Sequence, residues 1–129
     1  MARQDTRRPT DAELDILRIL WRRGPGTVRE IYHEMNTERE AGYTTVLKIM
    51  QIMTDKGLLV RDRSVRPQVY SVAQSQGKTQ RQMLGDLLER VFSGSPGNLV
   101  LQALSTKKAT PEERRQIREL LDRLEKEQK

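Results

Sequence analysis

The sequence predicts a mostly α fold carrying one small β-hairpin, and three observations lead there. Apolar residues recur at i, i+3, i+4 spacing in separate stretches on both sides of residue 74. Thr-x-x-Glu pairs stand in front of three such stretches, at Thr10–Glu13, Thr27–Glu30 and Thr110–Glu113, the pattern of a capping box. Between Tyr43 and Val72 a helical pattern stops at Lys56-Gly57 and two short strand-like runs follow at once.

Taken in order, residues 1–9 are polar, Arg-rich and expected to be mobile. Thr10 opens a first helix whose broad apolar face is Leu14, Ile16, Leu17, Ile19, Leu20 and Trp21, ending at Gly24-Pro25-Gly26. Thr27 opens a second, with Val28, Ile31, Tyr32 and Met35 on one buried face. Asn36 to Gly42 reads as the connector into a third helix, whose core positions are Val46, Met50 and Met53. Two runs come next, Leu58–Asp62 and Gln68–Val72, joined by a basic turn through Arg63, Arg66 and Pro67. Three helices and an Arg-bearing hairpin within about 65 residues is the layout of a winged helix-turn-helix. Residues 1–74 are assigned to that domain.

Composition narrows the function. Hydrophobic residues make up 35% and aromatics only 4%, so the core must rest on Leu, Ile, Val and Met. A net charge of +6 and a pI near 10.0 favour an anionic partner such as nucleic acid. The excess is spread, +3 in residues 1–74 (13 basic against 10 acidic) and +3 in residues 75–129 (11 against 8), so charge alone decides little. Cysteine is absent, which removes disulfides, thiolate chemistry and Cys-ligated metals. His33 is the sole histidine and has no partner at ligand spacing; no phosphate loop, nucleophile elbow or carboxylate–His set is present. The reading is a non-enzyme without metal or cofactor. No run is long enough to span a bilayer and the N-terminus lacks an apolar signal region, which makes the cytoplasm the default compartment.

The third helix carries the chemistry. With Val46, Met50 and Met53 inward, its other face shows Thr44, Thr45, Lys48 and Gln51, with Leu47 and Ile52 as exposed aliphatics at its edges. Gln can pair with adenine, Thr and Leu can touch thymine methyls, and Lys can reach guanine or a phosphate. Arg61, Arg63 and Arg66 of the hairpin would lie along the adjoining backbone. Double-stranded DNA is the expected partner.

After Val72 the pattern changes. Ala73 to Thr79 is polar with no core positions, the natural junction. Beyond it Leu84, Leu87, Leu88 and Val91 stripe one helix, interrupted by Ser93–Gly97. Leu99, Leu101 and Leu104 fall on a second, and Ile117, Leu120, Leu121 and Leu124 on a third. About 55 residues cannot bury that much apolar surface alone, so residues 75–129 are read as a helical dimerisation region that closes on a second copy.

The stretches PTDAELDILRILWRRGPGTVREIY, YTTVLKIMQIMTDKGLLVR and FSGSPGNLVLQAL resemble the penicillinase-repressor (BlaI/MecI) family of bacterial winged-helix regulators, over about residues 9–126. The resemblance implies a homodimeric repressor on a palindromic operator, without a cofactor, and inactivation through a membrane sensor and protease. Known members carry basic residues where this chain has Leu47 and Ile52, and their scissile Asn-Phe bond matches Gln102-Ala103. The copper-responsive branch uses a C-terminal cysteine cluster that this chain lacks. A second reading, of another class, is a winged-helix module that docks a protein through its third helix, with Leu47 and Ile52 as anchors.

Overall fold

The computed structural model describes residues 8–36 and 41–128; the expectations for residues 1–7 and for 37–40 of the connector lie outside them. Among the described residues the order is α1 (Asp11–Arg23), α2 (Val28–Met35), α3 (Tyr43–Asp55), β1 (Leu59–Asp62), β2 (Val69–Val72), α4 (Gln76–Val91), α5 (Pro96–Thr106) and α6 (Pro111–Glu127). This is a winged helix-turn-helix followed by further helices.

Each of the three capping boxes forms. Thr10 Oγ1 accepts from Glu13 N at 3.2 Å while Glu13 Oε1 takes Thr10 N at 2.9 Å, and the Thr27–Glu30 and Thr110–Glu113 pairs repeat this geometry. A fourth start comes from Ser95, whose hydroxyl accepts from Asn98 N, with Pro96 in the first turn. Ser95-Pro96, which sequence patterning assigned to an interruption, is therefore the cap of α5.

The core lies where the first three helices meet the hairpin. Ile16, Leu17, Ile19 and Leu20 of α1 pack with Val28, Ile31 and Met35 of α2, Val46, Met50 and Met53 of α3, Leu59 of β1 and Tyr70 of β2. α3 ends in a left-handed turn at Gly57 (φ 85°), where Gly57 N donates to Thr54 O and Leu58 N to Met53 O. That pair of bonds is a Schellman motif. A side chain at this φ would be strained, so the glycine fixes where α3 stops and the hairpin begins.

β1 and β2 pair antiparallel with Leu59 opposite Val72, Val60 opposite Ser71, Arg61 opposite Tyr70 and Asp62 opposite Val69. The strands are one residue shorter at their outset than the sequence runs suggested. Gly26 adds an isolated antiparallel bridge to Tyr70, its N–H at 3.0 Å and its carbonyl at 2.8 Å from the Tyr70 backbone. The loop after α1 thus anchors the wing, a role hidden behind its reading as a helix stop.

Two compact units divide at Met83/Leu84. The junction expected at Ala73–Thr79 differs in detail: α4 begins at Gln76 and Thr79 is buried, so its first turn is ordered helix with an inward-facing residue. Patterning missed it because threonine carries no apolar signal.

In the second unit, α5 and α6 contain no buried residue. Leu84, Leu87, Val91, Leu101, Leu104, Leu120, Leu121 and Leu124 are exposed, Leu101 at 68% and Val91 at 63%, while Leu88, Leu99 and Ile117 are half-buried. Val100, outside the predicted set, is exposed as well. Close pairing of elements among the described residues occurs only between α1, α2, α3, β1 and β2.

Candidate nucleic-acid interface

The outward face of α3 follows from its inward one. Val46, Met50 and Met53 are fully buried, and at about 100° per residue the opposite arc holds Thr44, Lys48, Gln51 and Asp55, flanked by Thr45 and Ile52. All six are exposed, Ile52 with 43% of its surface open, enough for an apolar contact. Asp55 was not singled out from the sequence. It is an acceptor at the C-terminal end of the polar arc, where its charge suits an amino group and opposes a phosphate.

Leu47 is a correction. It is half-buried and packs against the core rather than standing exposed at the edge. The reason is geometric: Leu47 lies three residues before Met50, on the flank that the neighbouring elements cover. The outward face therefore has one exposed aliphatic side chain, Ile52, instead of two.

The wing separates its three arginines. Arg63 and Arg66 are exposed in the turn. Arg61 shares a strand face with buried Leu59 and stands opposite buried Tyr70, so it is half-buried and its Nε is enclosed without a hydrogen-bond partner. Alternation sets Arg61 on the inward face of β1 with Leu59, whereas Arg63 and Arg66 lie beyond the last residue of β1, Asp62, in the turn. Asp62 closes the turn by accepting from Ser64 N at 2.9 Å and Ser64 Oγ at 2.6 Å. The Ser64 hydroxyl, then its amide, hold the Asp62 carboxyl below its ordinary range.

Contacts at both ends position α3 that periodicity does not reveal. Lys56, just past its end, places Nζ 2.7 Å from Glu13 Oε1 and 3.2 Å from Arg8 O, with side-chain exposures of 14% for Lys56 and 5% for Glu13. The carboxylate that caps α1 thus also grips the C-terminal end of α3. At the other end, the Arg29 guanidinium of α2 lies 4.9 Å over the Tyr43 ring, and Tyr32 meets Tyr43 edge-on at 5.7 Å. The capping boxes were legible in sequence; the cross-helix partners were not, since they lie 43 and 14 residues apart.

A buried hydrophobic core, a Schellman stop and a basic-tipped hairpin around an exposed polar helix define a winged helix-turn-helix domain. A family profile described as penicillinase repressor matches residues 9–123, nearly the whole chain. The chain belongs to the penicillinase repressor family, a family of transcriptional regulators. Two curated relatives from strains of Mycobacterium tuberculosis, each called transcriptional regulator BlaI, are 32% identical to it over 62 residues. Those matches take in 47% of this chain and 45% of each relative, so the chain spans about half the length of the curated relatives it matches. No helix among the described residues is long and apolar enough to cross a membrane.

Proposed function

We propose that the chain is a transcriptional repressor that binds a palindromic operator in double-stranded DNA as a homodimer, in the cytoplasm. The observation that carries this reading is the exposed arc of Thr44, Lys48, Gln51 and Ile52 on a helix whose far side is wholly buried, followed by a wing tipped with Arg63 and Arg66. A helix is about 10–12 Å across with its side chains, and the major groove is about 12 Å wide, so the arc can face base edges. Gln51 and Lys48 are the candidate base readers, Thr44 and Thr45 the short contacts near thymine methyls or phosphates. Arg63 and Arg66 serve the backbone, and Arg61 would do so only through the outer part of its guanidinium, since its Nε is enclosed.

The unburied Leu and Val side chains of the second unit support the dimer. Leu104, Ile117 and Leu120 floor an open groove between α5 and α6, beside Lys107 and Lys108, and a second copy would fill it. Pairing gives two readers a high effective concentration on two half-sites. Gln102 and Ala103 are exposed on α5, so a sensor-protease pathway that cut there would end repression by detaching α6.

Selection of bound sequences from a random DNA pool tests the reading. The expected result is an enriched inverted repeat whose binding weakens steeply between about 50 and 200 mM salt. Enrichment of nothing, or a salt-independent partner captured through Ile52, would favour the protein-docking alternative instead.

A further inference from the structure

Resting on the DNA-binding reading, we propose that Arg29 is a DNA-backbone contact outside α3, held ready by the ring of Tyr43, and that Tyr43 is its positioning residue. Arg29 stands between buried Val28 and Ile31 on α2, which turns its own side chain to solvent. Its guanidinium lies 4.9 Å from the centre of the Tyr43 ring. Tyr43 in turn is braced edge-on by Tyr32, at 5.7 Å. A cation seated on an aromatic face keeps its N–H groups free in the plane of the guanidinium, whereas an ion pair with a carboxylate would occupy them.

The charge is available for such a use. Among the described residues no carboxylate pairs with Arg29, although its neighbour Glu30 is engaged by Thr27 and by Arg23 at 3.4 Å. The position is also right. Tyr43 is the first residue of α3, which has 13 residues and so runs about 20 Å to the Lys56-Gly57 stop that leads into the wing. Arg29 lies beside the first turn of α3, and Arg63 and Arg66 lie in the hairpin turn that follows its end. A helix lodged in the major groove meets a sugar-phosphate strand on either side, so cations at both ends would clamp the two strands that border the groove. The partner is the phosphodiester backbone of duplex DNA, recognised without regard to base.

The test uses the full-length chain and the duplex that it selects from a random pool, with affinity measured by fluorescence anisotropy at several salt concentrations. One phosphate contact contributes about 0.9 to the slope of log affinity against log salt. Arg29→Gln is expected to reduce the slope by about one and to lower affinity roughly eightfold at 0.1 M salt, the factor which that slope gives relative to 1 M. The loss should be equal on the best sequence and on single-base variants of it. Arg29→Lys should keep the slope, because the charge remains, while Tyr43→Leu should weaken binding with its circular dichroism unchanged. If the parent binds its selected duplex and Arg29→Gln gives a parallel salt plot, this assignment falls and the DNA reading stands. A parent that selects no DNA overturns both.

Discussion

At the scale of single residues, the sharpest predictions fall on α3 and its buried anchor. Lys48 and Gln51 are exposed on the arc opposite Val46, Met50 and Met53. Lys48→Ala and Gln51→Ala should each cost about 1–3 kcal/mol of operator binding and relax preference at one base pair. Their urea midpoints should match the parent's; equal operator affinity for both variants would mean that this face does not read DNA. Glu13 makes the opposite case. Glu13→Gln keeps an acceptor for Thr10 N but leaves Lys56 with no buried counter-charge, so stability should fall by about 3–5 kcal/mol. Urea denaturation measures it, and a deficit below about 1 kcal/mol would show that water compensates the lysine. A sequence read residue by residue identifies Glu13 as a cap, which it is, without hinting at this second task.

At the scale of elements, the helices are specified locally and the wing is not. A capping box and a first-turn proline set the start of α6, and Thr110→Ala should cost about 1 kcal/mol, seen as a lower thermal midpoint. The acidic partners of the capping boxes also fix a pH dependence. The Thr27 amide, foremost among several groups, depresses Glu30, and the Thr110 amide likewise depresses Glu113. Carboxylates held below their unfolded-state value contribute stability above that value, roughly pH 4, and lose it as pH falls through the lower folded-state value. Thermal midpoints should therefore hold steady from neutral pH to about 5 and decline below about 4; a rise on acidification would contradict the assigned hydrogen bonds. In the wing, Arg61 lies within β1 on its inward face, whereas Arg63 and Arg66 lie in the turn beyond Asp62. Arg63→Ala and Arg66→Ala should each lower the salt slope by about one, with base preference intact. A changed base preference at an unchanged slope would remove them from the backbone.

At the scale of the whole molecule, the two units differ in how they satisfy their apolar residues. Among the described residues, the first unit buries the core of its apolar side chains and leaves Ile52, Val60 and Val65 exposed, whereas no residue of α5 or α6 is buried and Leu101, Leu120, Leu121 and Leu124 stay exposed. Leu120→Glu or Leu124→Glu should split a dimer, because a charge buried without a partner costs several kcal/mol. Analytical ultracentrifugation at tens of micromolar distinguishes the cases: a monomeric parent that still holds an inverted repeat tightly would end the dimer proposal. A fragment for study of the reader alone should end near residue 83 rather than 74, since Thr79 is buried and the first unit runs to Met83.

The sequence by itself determined the order of elements, the core positions of α1 to α3, the three capping boxes and the glycine stop before the wing. Those features rest on neighbours within a few residues, through helical period, side-chain caps and the left-handed freedom of Gly57, so they can be read along the chain. Only the tertiary structure decided that Leu47 leans on the core, that Arg61 turns inward beside Tyr70, that Gly26 pairs with β2, and that Lys56 closes on Glu13. Each of these depends on which distant surface covers a position, and a one-dimensional pattern gives a side chain's direction without saying what stands in front of it.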